Sequence, residues 1–306
     1  MHIIAKVVAV CSLSLLFVGC SSTNKQPKLT QVAHSYADSV QHQVAIRRLS
    51  DFLQQQDLSE QQKSELYFRR GLLYDEIGLM HLSYFDMLQA IENNPTQVEA
   101  YNILGIYYVR QNEFGRAYEA FDSVLELKPD HNYAYFNRAI ALYYGERPQL
   151  ALKDFESFYQ LDTQDPYRVM WWYFAELAVE QRQAEQPNQA QGLTALSNLR
   201  RRVQAIEKDG WGLLLTKLYT NELSPKELLQ LAAVDNQSEQ MLNEKLCEAY
   251  FYIAKYFHLK EQLEQAEFYY KAAISTHVYQ FVEFRYAQTE LNKLLGTVST
   301  DMTTVH

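Results

Sequence analysis

The stretch VEAYNILGIYYVRQNEFGRAYEAFDSVLELKPDH, Val98–His131, decides the fold, because the chain on either side repeats it at a step of thirty-four residues. With Ser64, Val98 and Asn132 as first positions, the fourth is Tyr67, Tyr101 and Tyr135, and the eighth is Gly71, Gly105 and Ala139. The eleventh is Tyr74, Tyr108 and Leu142; the twentieth is Ser83, Ala117 and Ala151; the twenty-fourth is Met87, Phe121 and Phe155. Small residues recur where two helices must touch, and large ones where a ring must fill the space between them. Pro95 and Pro129 close the first two units at position thirty-two, because proline cannot continue a helix. A unit of this size cannot bury its apolar face alone, so its copies stack.

This is the tetratricopeptide (TPR) signature. It predicts an all-α, TPR-type solenoid of antiparallel helix pairs, flanked by N-terminal and C-terminal helices, with three repeats over 64–165. Residues 31–63 form an N-terminal helical segment. Within it Val32–Phe52 places Tyr36, Val40, Val44, Leu49 and Phe52 on one stripe without an in-register partner helix, which makes it a dimerisation candidate. Ser59 with Gln62, and Thr96 with Glu99, have capping-box spacing, Asp165-Pro166 starts a further helix, and Ser224-Pro225-Lys226-Glu227 combines three start signals. A further repeat spans 247–280, with Tyr250, Ile253, Ala254, Phe257, Ala266, Tyr270 and Ala273 in phase. Residues 166–246 read as degenerate helical pairs around a polar loop, Gln181–Gly192. Residues 281–306 read as a capping helix, Phe281–Leu295, with a polar tail. No strand pattern is visible.

The N-terminus addresses the location. Val7–Val18 is apolar apart from two serines and a cysteine, too short to span a hydrocarbon core of ~30 Å, and has the length of a secretory signal core. It ends Leu16-Phe17-Val18-Gly19-Cys20, which resembles a bacterial lipobox with Phe17 where leucine is usual. The resemblance implies a lipoprotein signal peptide, 1–19, cleaved before Cys20, and acylation of Cys20, palmitate included, on a tether over 20–30. Several acyl chains hold a protein on a membrane where one would not. Ser21 stands where an aspartate would resemble the inner-membrane retention signal, which points to the outer membrane. An ordinary signal peptide with a chance cysteine, or an uncleaved anchor, is the alternative.

The net charge of −9 disfavours nucleic acid as a partner, since nonspecific binding needs basic stripes. Cys247 would be the lone thiol left, at the start of an apolar helix, and reads as inert packing. Hydrolase, P-loop, dinucleotide and zinc-protease motifs are missing, and the histidines lack metal-ligand spacing, so the sequence predicts no enzyme, metal or cofactor. Asp75 and Glu76 are adjacent and point to different helix faces, so they are no acid–base pair. Arg200-Arg201-Arg202 reads as a solvated helix face, with an anionic-lipid contact as the alternative.

In this fold positions two, five, nine and thirteen of each first helix line the concave groove. They are Glu65, Phe68, Leu72 and Glu76, then Glu99, Asn102, Ile106 and Arg110, then Tyr133, Phe136, Ile140 and Tyr144. The aromatic third set is the expected hot spot, with Phe136 and Tyr144 as its anchors. No lysine occurs there, which argues against a clamp for a terminal carboxylate. Some of these side chains pack instead against the chain's own terminal helices in the competing reading.

The run YNILGIYYVRQNEFGRAYEAFDSVLELKPDHNYAYFNRAIALYYG, with DPYR and the later FVEFRYAQTELNKLLG, resembles the NlpI family of outer-membrane lipoproteins of gammaproteobacteria. The likeness is dense from Tyr101 to Arg168 and thin from Gln181 to Ile206. It implies an all-helical homodimer, lipid-anchored on the periplasmic side of the outer membrane. It also implies a non-catalytic adaptor for periplasmic proteins. That adaptor would bring peptidoglycan hydrolases to a carboxy-terminal processing protease and organise cell-wall enzymes, synthases included, during growth and division. The alternative is a TPR lipoprotein subunit of a machinery that assembles outer-membrane barrels or secretins.

Overall fold

A computed structural model describes residues 36–184, 194–234, 236 and 238–296. The described residues form fourteen α-helices and no strand, a TPR-type all-α solenoid. Cys20, the 1–19 and 20–30 segments, most of the Gln181–Gly192 loop and the 297–306 tail lie outside them. An N-terminal helix, α1 (Tyr36–Leu53), precedes three pairs: α2 (Glu60–Glu76) with α3 (Met80–Asn93), α4 (Val98–Arg110) with α5 (Phe114–Leu127), and α6 (Asn132–Tyr144) with α7 (Pro148–Leu161). Then come α8 (Pro166–Ala184), α9 (Ala195–Gln204), α10 (Trp211–Tyr219) and α11 (Pro225–Ala232). A last pair, α12 (Glu239–Leu259) with α13 (Leu263–Ser275), leads to α14 (Val282–Leu294).

Positions eight and twenty-four lock each pair. A Cβ on Gly71 would lie 2.7 Å from Met87 Cε, and one on Gly105 would lie 2.5 Å from Phe121 Cζ, so the rings occupy the space that glycine vacates. Each pair turns at position fifteen through a left-handed residue: Gly78, Asn112, Glu146 and, in the last pair, Glu261. Two of the pairs also share an ion pair. Arg70 grips Asp86 with both Nε and Nη2 at 2.7 Å, and Arg138 grips Asp154 at 2.7 and 2.9 Å, at equivalent positions of repeats one and three.

Helix starts follow the sequence in three of four places. Ser59 and Gln62 cap each other, as do Ser224 and Glu227, and Asp165 Oδ1 accepts the Tyr167 N–H at 2.8 Å. The expected Thr96–Glu99 box does not form. Gln97 is the residue before α4, Thr96 bonds Asn94, and Glu99 is drawn away to His131.

The core centres on Trp171 of α8, whose ring is 5.8–6.0 Å from Tyr286, Phe136, Phe174 and Phe251, rings contributed by three other helices as well as its own. The arginine run of α9 is not a uniform solvated face. Arg200 and Arg201 are exposed, but Arg202 is buried, bonded to both carboxylate oxygens of Glu176 and stacked 3.4 Å over Trp172. An unpaired guanidinium could not be buried there; the carboxylate and the ring make it possible.

The final helix, α14, packs on the last pair, α12 and α13, and its inner face also reaches the first helices of the repeats. Glu290 accepts the Tyr144 hydroxyl at 3.0 Å and an ion pair from Lys255 of α12. Arg285 pairs with Asp75 of α2, and Tyr286 stacks on Tyr144 at 5.1 Å.

Candidate functional site

The inner occupation by α14 divides the expected groove. In repeat one, Glu65 pairs with Arg69 on its own helix, and Glu76 bonds His42 of α1 at 2.8 Å. Phe68 and Leu72 pack against the core. In repeat three, Phe136, Ile140 and Tyr144 are buried, at 7%, 0% and 2% exposure. Phe136 stacks on Phe158 at 4.7 Å, and Tyr144 is held under α14. Reading Phe136 and Tyr144 as groove anchors is therefore corrected: Tyr144 is covered by α14, and Phe136 is buried against Phe158 of α7 and Trp171 of α8.

What remains open is a cleft of about 480 Å³ between α4, α6 and the start of α14. It gathers Glu99, Asn102 and Ile106 from α4, and Tyr133 and Phe136 from α6, five of the twelve residues expected in the groove. Tyr133 is 60% exposed and forms the rim. Sequence reasoning missed the other lining residues, among them His131 and Asn137, Gln280 just before α14, and Val282 and Arg285 in its first turn. Asn137 stands one residue past a groove position, so a wider register would have found it. The residues near α14 carry no repeat signal.

Two polar pairs shape the floor. His131 starts α6, its Nδ1 accepting the Ala134 N–H at 3.0 Å, which leaves Nε2 as the N–H that meets Glu99 at 3.1 Å. Asn137 Nδ2 donates to Asn102 Oδ1 at 2.9 Å, and both amides are more than nine-tenths buried.

A second, much narrower cleft, of about 10 Å³, adjoins the first and shares Ile103, Ile106 and Arg285 with it. Arg110 lines it, together with Asp75 and Ser83. Burial first, then repulsion from Arg285, holds the Arg110 guanidinium down to about 10, against the pull of Asp75.

The chemistry available is recognition. Among the described residues no group of three or more His, Cys, Asp and Glu is placed to hold a metal ion. Cys247 is fully buried, and burial pushes its thiol well up, which makes it unreactive. No helix among the described residues is long and apolar enough to cross a membrane.

Family models described as tetratricopeptide repeat match residues 64–97 and 103–166. The chain carries tetratricopeptide repeats. Among solved structures it is similar to the C-terminal part of a TPR repeat-containing protein from Cytophaga hutchinsonii, at 15% identity over 79% of each chain with a TM-score of 0.43. It is also similar to Pseudomonas aeruginosa pilF, at 17% identity over 76% of this chain and 100% of that one, with a TM-score of 0.41. Tetratricopeptide repeats are a protein-interaction architecture, stacked to present concave surfaces to other proteins.

Proposed function

We propose that this chain is a non-catalytic adaptor, lipid-anchored through Cys20 on the periplasmic side of the outer membrane. It brings peptidoglycan hydrolases to a carboxy-terminal processing protease and organises cell-wall enzymes during growth and division. The observation that carries the binding role is the cleft between α4, α6 and α14, built on interaction repeats and rimmed by the exposed Tyr133. The Gly19-Cys20 boundary after an apolar run supports the anchor, and the likeness to the NlpI lipoproteins supports the partners. A homodimer through α1 fits the exposed Val40, Val44 and Phe52 on that helix. Association would bury their area at ~25 cal/mol per Å².

The decisive experiment combines purified processing protease, a peptidoglycan hydrolase and the full-length chain. Hydrolase breakdown should accelerate about tenfold when the chain is added, and the acceleration should shrink when Tyr133→Ala replaces the parent, as for an interface aromatic. A breakdown rate indifferent to the chain sinks the adaptor reading. Cys20→Ala should abolish palmitate labelling; retained labelling and unchanged outer-membrane fractionation would refute the anchor. Sedimentation as a monomer at micromolar concentration would refute the dimer. Stoichiometric co-purification with an integral barrel protein would move the assignment to assembly machinery.

A further inference from the structure

Four glutamates are buried among the described residues, and two of them face a cation: Glu176 is bonded to Arg202, and Glu290 to Lys255. Glu248 and Glu283 are held by neutral donors. Glu248 accepts the Tyr167 hydroxyl at 2.9 Å and the Trp211 indole N–H, and Glu283 accepts the Tyr252 hydroxyl at 3.2 Å. Four helices meet there. Tyr167 stands in the first turn of α8, Trp211 begins α10, Glu283 is the second residue of α14, and Glu248 and Tyr252 are one turn apart on α12. The seam has no slack, since a Cβ on Gly212 would lie 2.7 Å from Pro166 Cγ and 2.8 Å from Tyr167 Cε2. No surrounding cation is turned to the pair. Lys245, one turn before Glu248, bonds the Val234 carbonyl at 3.3 Å and sits beside the Trp211 ring. Arg285 is turned to Asp75, Arg168 to Asp165, and His277 lies against the Tyr279 ring. Glu244 only adds repulsion, while Cys247 of α12 and Thr276 at the end of α13 are uncharged. Burial, and for Glu248 also its neighbour Glu283, therefore favours the protonated form of both carboxyls, against the donor bonds and the Glu283 backbone N–H.

We propose that this seam is a pH-sensitive latch on one wall of the open cleft. While Glu283 carries a proton, the start of α14 is seated on α12. When it passes that proton to water, a second charge beside Glu248 drives the segment off the seam. A buried carboxylate without a cation is costly, and a local opening that lets water reach it is the way the fold avoids that cost. Neighbouring bonds mark how far the opening runs. Arg285 stays held by Asp75 and by the Tyr279 carbonyl at 3.1 Å, and Glu290 stays paired with Lys255. The segment that gives way is therefore 280–284. Gln280 and Val282 belong to it, and both line the cleft between α4, α6 and α14. The cleft wall is thus fixed in acid and loosened above neutrality. This latch is a property of the fold and does not depend on what the cleft binds.

The test is amide hydrogen exchange of the full-length chain in detergent, read by mass spectrometry across the pH range with intrinsic rates divided out. A carboxyl that gives up its proton near 4.5 when released and near 7 when seated favours release at each step between those values. Protection of 281–287, where the Phe281 and Arg285 N–H groups bond the Val278 and Phe281 carbonyls, should fall more than about tenfold from pH 5 to pH 8. At pH 8 that exchange should be indifferent to about 1 M urea, because a local opening exposes little surface. Glu283→Gln should remove most of the fall, and Glu248→Gln, which takes away the repelling neighbour, should reduce it. Melting curves check that both variants are folded. The Trp211 indole N–H, one of three in the chain, should shift in nuclear magnetic resonance spectra over the same range, as its acceptor gains charge. Flat protection from pH 5 to pH 8 overturns the latch, whether or not the indole signal moves. So does exchange of 281–287 that urea speeds as strongly as that of α4, since the whole molecule is then unfolding. A fall that persists unchanged in either folded variant overturns it as well. No partner takes part, so each of these failures leaves the scaffold reading standing.

Discussion

Trp171 shows how single side chains hold this molecule. It is 1% exposed and meets rings from α6, α12 and α14 as well as Phe174 of its own helix. Trp171→Ala should cost ~3–5 kcal/mol of stability, measured by denaturant unfolding, because no neighbour can collapse into the void. Phe136→Ala should behave alike, whereas Tyr133→Ala, at the exposed rim, should alter stability by less than about 0.5 kcal/mol. A pair of buried carboxylates adds a pH dependence. Burial, then the neighbouring Glu283, pushes Glu248 up to about 8, against hydrogen bonds from Tyr167 and Trp211. Burial pushes Glu283 up to about 7, against the Tyr252 hydroxyl. The unfolded chain releases both protons near pH 4.5, while the folded chain keeps them. Their contribution is thus complete below about pH 4.5 and is lost as the pH rises through 7 to 8, with a slope of up to ~1.4 kcal/mol per pH unit for each group. Melting temperatures should be higher at pH 5 than at pH 8, and Glu283→Gln should flatten that difference. A pH-independent difference between parent and variant would show that neither carboxyl is protonated in the fold.

At the scale of helices, the turn at position fifteen is the most testable element. Glu261 holds φ at 58°, a conformation that is strained for a side chain and free for glycine. Glu261→Gly should stabilise the chain by ~0.5–1 kcal/mol, since relief of the left-handed strain outweighs the extra entropy of glycine when unfolded. Gly78→Ala should destabilise it, because the added Cβ would be strained and would fall 2.6 Å from the Tyr279 ring. The Gly71–Met87 and Gly105–Phe121 contacts were legible in the sequence because helix pairing is local and its small and large residues recur in step; the turns at position fifteen were not read, since their residue types differ from repeat to repeat. The Arg70–Asp86 and Arg138–Asp154 pairs recur in repeats one and three, with Leu104 and Ala120 in their places in repeat two, and escaped notice, since an apolar pattern search passes over polar positions. Thr96 misled for a different reason: its cap geometry lost to Asn94 and to the competing draw of His131 on Glu99. The site was half legible. Repeat phase found Glu99, Asn102, Ile106 and Tyr133, but no spacing could say that α14 would bury Tyr144 and supply Arg285.

On the scale of the whole molecule, α14 joins parts that a simple stack keeps apart. Arg285 reaches Asp75 across 210 residues of sequence, and Glu290 reaches Tyr144 across 146. In a stack that touches only nearest neighbours, repeats melt semi-independently; here the two ends of the repeat array share one strut. Glu290 also keeps Lys255 charged within the core. Burial opposes the ammonium ion, but the Glu290 carboxylate and the Tyr143 hydroxyl outweigh it and hold the Lys255 pKa raised. Removing residues 282–306 should therefore leave a buried cation unpaired, at ~3–5 kcal/mol, and lower the melting temperature by roughly 10 °C or more. Glu290→Gln should do part of this in the intact chain, and calorimetry that finds either change silent would show that α14 is dispensable. The same arrangement makes the cleft a check on completeness. Gln280, Val282 and Arg285, its third wall, stand at or beyond the end of the last repeat. A product that terminates early, or is clipped near its end, would carry every repeat and still lack the surface a partner has to read.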